Sequence, residues 1–321
     1  MNKKKLIKSL KIILPLLLGV FLICISIYRS TEAERNQLYE NIVQADLLFV
    51  FLSLFCGFLS HLSRAYRWKF LLAPLGYKIK LHNSFMAVMS GYLANLGIPR
   101  SGEVLRGASI ANYEQVPFEK AFGTIISERV ADLVMLLLIL SIAFFSQTEY
   151  IIMVMDTYQI NPFFGILILV ILFLLGILFL KIIKKSTIPI IVKIRNLGKG
   201  ILEGMKSILT MKNKFAFLFH TFFIWGMYLL MFYLIKFAVP GASVIDMGQI
   251  LVAFVVGSFA ISVTNGGIGV YPIAIGAVLV LYGINQQTGE AFGWVIWGSQ
   301  TLLNLIIGGL SIILMPLINK K

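Results

Sequence analysis

Apolar residues in this chain come in long blocks, and the stretches between the blocks are rich in Lys and Arg. Leu10–Ile27 and Phe163–Ile183 are almost free of charge, and each has about the 20-residue length that a helix needs to cross a bilayer. Reading block by block, the pattern predicts hydrophobic helices near 10–28, 45–63, 82–97, 130–147, 163–183, 215–237, 248–264, 269–283 and 291–316. The third is short. The pair 248–264 and 269–283 is joined by a glycine-rich link, and a long, fairly polar segment, 98–129, follows the third block.

Composition supports lipid as the solvent for most of the chain. Of 321 residues, 59% are apolar and 13% charged, against roughly 25% charged in an ordinary globular domain. That leaves too few polar residues to cover a water-facing surface, which excludes a soluble protein. The net charge of +14 sits between hydrophobic blocks rather than on one soluble face, so it points to anionic lipid and away from nucleic acid. Cys24 and Cys56 fall inside predicted helices and offer neither metal-ligand spacing nor a disulfide framework. His61, His82 and His220 share no motif, so neither a metal nor another cofactor is expected. The first apolar block ends at Ile27-Tyr28-Arg29 without a small-residue cleavage site, and it is read as an uncleaved first span.

Loop charge gives the orientation. Lys3, Lys4, Lys5, Lys8 and Lys11 precede or open the first span, and Arg64, Arg67, Lys69, Lys78 and Lys80 follow the second. The loop 181–214 carries nine Lys or Arg residues, and the chain ends Lys320-Lys321. Loop 29–44 is mixed in sign, and 147–162 holds Glu149 and Asp156 with no Lys or Arg. All basic loops fall on one side if both termini are cytoplasmic. The chain is therefore read as one integral membrane domain, 1–321, in the inner or plasma membrane, with a basic tail 1–9 and a basic cytoplasmic loop 184–214. This bookkeeping requires 82–129 to enter and return on the same side as a re-entrant hairpin. The segment 248–283 is either a pair of spans or a second such hairpin.

Irregular backbone at membrane depth is tolerated only where protein or water shelters it. Gly97-Ile98-Pro99-Arg100-Ser101-Gly102 breaks a helix, because Pro99 lacks a donor and biases Ile98 away from helical geometry. Ser101 is expected to cap the helix that follows. Asn265-Gly266-Gly267-Ile268-Gly269 is a second break, made through glycine. Gly91-Tyr-Leu-Ala94 before the first break and Gly257-Ser-Phe-Ala260 before the second hint at a pseudo-repeat. Paired, interrupted hydrophobic segments are the sequence mark of a transporter site, while two ordinary surface loops are the plainer alternative.

Charge clusters at the first break. Arg100, Glu103 and Arg106, spaced three apart, share one helix face, and Glu128, Arg129 and Asp132 form a second group. Such groups in a span face partners or a polar cavity. Two readings stay open: an ion-pair clasp that closes the hairpin, or a clasp that also contacts an anionic headgroup or lipid phosphate through Arg100 and free N–H groups at the helix start. Arg64, Arg67 and Trp68 are read as an interfacial anchor with headgroup contact as the alternative. Gln300 and Asn304, on one face of the last span, are read as interhelical hydrogen-bonders.

Taken in order, Arg67-Trp68, Pro99-Arg100-Ser101-Gly102-Glu103-x-x-Arg106, Glu128-Arg129-x-x-Asp132 and Gly266-Gly267-Ile268-Gly269 resemble the lysylphosphatidylglycerol synthase transmembrane-region family over roughly 10–316. The resemblance implies a flippase-like domain that moves lipids between leaflets. In the best-known members it moves aminoacylated phosphatidylglycerol and precedes a soluble aminoacyl-transferase domain. That domain is not expected here, because the chain stops at Lys321, so the synthase activity is not carried over and a separate lipid-modifying enzyme becomes a candidate partner. Relatives often carry Pro-Gly-Gly and then an acidic residue at the second break. This chain has Asn265 in place of the proline and Pro272 near the position of the acid.

The expectation is an all-α polytopic membrane protein of seven to nine hydrophobic helices, with one or two re-entrant hairpins in a pseudo-repeat. Its expected function is translocation of a phospholipid or polyprenyl- or glycolipid headgroup, with Arg100, Arg106 and Arg129 neutralising phosphate and Glu103, Glu128 and Asp132 holding the arginines. The sequence shows no ATP-binding motif. The alternatives are a membrane enzyme acting on lipid through Glu128 or Asp132, and a non-transporting scaffold for envelope enzymes.

Overall fold

In the computed structural model, residues 17–98, 100–157, 159, 208, 211–264 and 266–320 are described. The basic tail, Pro99, the predicted span 163–183, most of the loop 184–214 and Asn265 lie outside the described residues. The described chain is helical: α1 (Leu17–Arg29), α2 (Glu32–Val43), α3 (Leu47–Leu72), α4 (Leu81–Gly97), α5 (Ser101–Tyr113), α6 (Phe118–Ser146), α7 (Thr148–Thr157), α8 (Lys214–Ala238), α9 (Met247–Val263), α10 (Val270–Val280) and α11 (Gln286–Ile318).

Helix starts follow local chemistry. Asp46 accepts from Leu48 N–H at the start of α3, and Asn285 accepts from Gln287 and Thr288 N–H at the start of α11. Reciprocal capping boxes, Thr31 with Glu34 and Asp246 with Gln249, open α2 and α9. Four of these helices are long and apolar enough to cross a membrane: Leu47–Leu75, which runs on through a short 3-10 turn, Phe118–Ser146, Lys214–Ala238 and Gln286–Ile318. Their outward faces expose Phe51, Phe55, Leu137, Phe219, Leu305 and Ile313, the surface that a multi-pass membrane protein turns to lipid. By contrast, the 17, 13, 17 and 11 residues of α4, α5, α9 and α10 rise about 25, 20, 25 and 17 Å, each short of the roughly 30 Å hydrocarbon core.

Several boundaries differ from the sequence expectation. α3 continues to Leu72 rather than stopping near 63, and α6 begins at Phe118 rather than near 130. In both places a hydropathy reading stops at charged residues that the fold buries in pairs. The expected loops 29–44 and 147–162 contain α2 and α7. No residue of α2 is buried, so it lacks the apolar stripe that would have marked it.

The packing has an internal symmetry. α3 lies antiparallel to α8: Asp46 N–H donates to Ala238 O (2.9 Å), Ser53 Oγ to Met231 O (3.3 Å), and Ser63 shares a hydrogen bond with His220 Nδ1 (2.8 Å). Exchanging α3, α4, α5, α6 with α8, α9, α10, α11 maps the packing onto itself. α4 packs on α5 as α9 does on α10, α5 on α6 as α10 on α11, and α4 on α11 as α9 on α6. The matched helices begin at 47 and 214, 81 and 247, 101 and 270, and 118 and 286, a nearly constant shift. The two short-helix hairpins meet at their turns, where Gly266 leaves room for the Leu96 side chain. α1 covers the second turn, with Gly19 lying against the carbonyl of Ile268.

Candidate functional site

The charged residues converge where α3, the α4–α5 hairpin and α6 meet. Arg64, Arg67 and Trp68 occupy one face of α3, Glu103 and Arg106 one face of α5, and Thr124, Glu128 and Asp132 one face of α6. Arg64 donates to both Glu128 (2.7 Å) and Asp132 (2.6 Å). Arg67 pairs with Asp132 (2.9 Å) and Glu128 (3.2 Å), and also donates to Thr221 of α8 (2.9 Å). Arg106 Nη2 donates to Glu128 at 2.8 Å, and its guanidinium lies 3.9 Å from the centre of the Trp68 ring. Trp68 in turn donates its indole N–H to Thr124 (2.8 Å).

The interfacial expectation for Arg64, Arg67 and Trp68 is therefore corrected: all three are buried, at 3%, 0% and 0% exposure. Their partners on α6 lie some sixty residues on in sequence, which is why an isolated reading of α3 placed them at a helix end. Arg129 makes a more open pair with Glu103 (3.0 Å), with 42% of its side chain exposed.

Arg100 stands apart from the cluster. It is exposed, at the cap position of α5 with φ 61°, in left-handed geometry uncommon outside glycine. Ser101 is the first helical residue and not the cap; its hydroxyl donates back to Ile98 O (2.7 Å) and Ala94 O (3.0 Å). The Gly102 N–H is taken by Asn95 Oδ1 (2.7 Å). Two of the first backbone donors of α5 are thus consumed inside the hairpin, Ser101 N–H by Ile98 O (3.1 Å) and Gly102 N–H by Asn95, which leaves less of a free helix start beside Arg100 than the sequence suggests.

Within the buried cluster three arginines face two carboxylates, which leaves one positive charge uncompensated among the described residues. The Nε atoms of Arg64, Arg67 and Arg106 and Glu103 Oε2 are buried with no hydrogen-bond partner among those residues. Beside them is a nook of about 10 Å³, lined by Arg64, Tyr92, Asn95, Glu103, Arg106 and Arg129, room for about one water. Tyr228 adds a hydroxyl to Arg64 (3.5 Å). Beyond Thr124 opens a cleft of about 590 Å³, bordered by Phe70, Leu71, Lys120, Ser127, Met211 and Lys212. Sequence reading missed Tyr92, Asn95 and Tyr228, which carry no charge and sit in apolar runs.

Among the described residues the second half has no such cluster. By helix position Arg64, Trp68, Arg106 and Glu128 correspond to Met231, Ile235, Ile275 and Ile296, all buried apolar residues. The second turn is built for backbone shape: Gly266, Gly267 and Gly269 have φ of 64°, 83° and 70°, and Trp297 donates to Gly266 O at 2.6 Å.

The profile described as lysylphosphatidylglycerol synthase TM region matches residues 12–308. A UPF0104 membrane protein of Methanocaldococcus jannaschii is 28% identical over 135 residues, which is 41% of this chain and 38% of that relative. No solved structure matches the chain.

Proposed function

Because this chain belongs to the lysylphosphatidylglycerol synthase TM region family, we propose that it carries the phosphate-bearing headgroup of a membrane lipid from one leaflet to the other. The observation that carries this reading is the uncompensated positive charge of Arg64, Arg67 and Arg106 beside a polar nook. A buried charge without a partner is costly, and a phosphate would supply both the missing charge and acceptors for the orphaned Nε donors.

In this arrangement the nook is closed. A headgroup fits the 590 Å³ cleft but not the nook, so transport requires the α4–α5 hairpin to move away from α3 and α6. Arg129, the more exposed member of its pair with Glu103, is the first contact, and Arg106 takes the phosphate as Glu128 is released to Arg64 and Arg67. The acyl chains stay in lipid throughout. In this reading both hairpins are re-entrant, and the cleft and both termini face the cytoplasmic side of the cell membrane, an orientation that the Lys- and Arg-rich segments support. Chemistry on the lipid is the weaker reading, because Glu128 and Asp132 are each held by two arginines or more and neither is poised as a base.

Leaflet accessibility in liposomes tests it. Purified protein should speed loss of the inner-leaflet signal, otherwise protected from an impermeant reagent, of labelled phospholipids or polyprenyl phosphates without converting them to new species. Rates equal to protein-free liposomes for every phosphate lipid, or a chemically altered lipid, would overturn the proposal.

A further inference from the structure

A second polar seam lies across Tyr92 from the arginine cluster. Tyr92 lines the nook, and its ring centre is 4.6 Å from that of His61. His61 is 5% exposed, and neither of its ring nitrogens has a hydrogen-bond partner among the described residues. One turn earlier on α3, Gly57 faces α11 so closely that a Cβ there would meet the Gln300 amide at 2.7 Å. Gln300 Nε2 and, one turn further along α11, Asn304 Oδ1 are also buried without partners. Gly308 continues the same stripe and lies against Met89 and Leu93 of α4. Gln300 is the positional counterpart of Asp132, so the second half keeps one polar group at that place while its other counterparts are apolar.

Gln and Asn inside a membrane bundle ordinarily bond between helices. Here the atoms concerned make no such bonds among the described residues, and an orphaned polar atom away from water is expensive. The chemistry of the orphans is specific. Neutral imidazole offers one donor and one acceptor, Gln300 a donor and Asn304 an acceptor, with no formal charge. A phosphate wants donors alone, and an ammonium wants acceptors or aromatic faces. Arg64, three residues past His61 on α3, further disfavours a cation. A hydroxyl both donates and accepts, and matches.

We propose that the seam of His61, Gln300 and Asn304 binds the hydroxyl-bearing part of a lipid headgroup while the arginine cluster across Tyr92 holds its phosphate. This rests on the lipid-translocation reading and narrows it to glycerol-, inositol- or sugar-headed lipids. The orphaned atoms are satisfied when a polyhydroxy head enters between α3 and α11.

The test uses full-length protein and a charge-matched pair, phosphatidylglycerol and phosphatidylethanol, which differ in headgroup hydroxyls. Phosphatidylglycerol should raise the Tm of detergent-purified wild type more than phosphatidylethanol does. The Gln300→Met/Asn304→Leu variant should be at least as stable without lipid, lose that preference, and move phosphatidylglycerol in liposomes at least tenfold more slowly. His61→Phe should behave the same way, and His61→Gln should retain the preference. Equal Tm response of wild type to both lipids, or variants that keep the wild-type preference, would overturn the seam. Selective binding by a wild type that moves no lipid supports the seam and sinks transport. Transport blind to headgroup and unchanged in the variants does the reverse.

Discussion

Gly91 and Gly102 press their backbones together across the first hairpin: a Cβ on Gly102 would run into the Gly91 carbonyl oxygen, and one on Gly91 would come within 2.9 Å of the Gly102 oxygen. This contact sets how closely α5 approaches α4, and with it where Arg106 enters the charged cluster. Gly102→Ala should cost about 1–3 kcal/mol through overpacking that backbone cannot relieve. Gly97→Ala, with nothing within 4 Å of its added carbon, is the control and should sit near wild type. Thermal unfolding in detergent separates the two, and equal Tm values would mean that the hairpin is not closed at this point.

Glu128 is bonded to three guanidiniums and is fully buried. Glu128→Gln removes a charge while leaving its partners in place, the case in which an unpaired buried ion costs about 3–5 kcal/mol. Loss of monodisperse protein on size exclusion is the expected result. Arg106→Leu combined with Glu128→Leu removes one cation with the anion and should recover part of the yield, because Arg64 and Arg67 still share Asp132. A double variant worse than the single one would show that the cluster is not held by charge balance.

Arg129 behaves differently, because it is 42% exposed and pairs with a partly exposed Glu103 at 3.0 Å, reaching Asp132, which Arg64 and Arg67 already hold, only at 3.4 Å. Such pairs contribute about 0–1 kcal/mol, so Arg129→Gln should fold with little change in Tm. If the chain moves lipid as proposed, the loss should fall on transport: one charge-assisted hydrogen bond to phosphate is worth about 1.5–3 kcal/mol, or roughly 10–100-fold in rate of lipid movement. An unchanged rate in liposomes would remove Arg129 from the path.

The membrane class, the long apolar helices and the first break were legible because each is a local pattern. Hydropathy marks a span, and Gly97-to-Gly102 marks the turn without any partner. The clasp was only half legible. Arg106, Glu128 and Asp132 stood out as charges beside spans, but Arg64 and Arg67 looked like a helix end, because the carboxylates that bury them arrive from α6 through long-range packing. Tyr92 and His61 offered no pattern, since an uncharged polar residue in an apolar run is equally at home in a core. α2 had one usable signal, the Thr31-x-x-Glu34 spacing, which outweighs its lack of an apolar face.

That capping box, on a helix that is not among the apolar ones and has no buried residue, makes a pH prediction. The backbone N–H of Thr31 (2.7 Å) and its hydroxyl (3.0 Å) both donate to Glu34 Oε2, and they hold the carboxyl below its usual 4.5. A depressed folded value means that the box steadies the start of α2 above the unfolded value and lets go as pH falls through the folded one. The Glu34 side-chain carboxyl resonance should titrate below pH 4.5, and Thr31→Val should move its midpoint upward. A midpoint at or above 4.5 in the wild type would mean that the box is open in solution.

The antiparallel pairing of α3 and α8 is the relationship on which the two-half architecture turns, and it is open to a direct chemical check. Ser63 and His220 share a hydrogen bond of 2.8 Å, while Ser53 lies against Met231 toward the other end of the pair. In a background with Cys24 and Cys56 replaced by serine, Ser63→Cys/His220→Cys should cross-link on mild oxidation. Cleavage within the Lys-rich loop 184–214 would then leave the two halves joined on a non-reducing gel and separate after reduction. Ser53→Cys/His220→Cys spans opposite ends of the antiparallel pair and should not cross-link. In a parallel arrangement of the two helices the second pair would be the one brought together. Cross-linking of Ser53→Cys/His220→Cys in preference to Ser63→Cys/His220→Cys would thus break the exchange of α3 with α8, and with it the matching of the two hairpins.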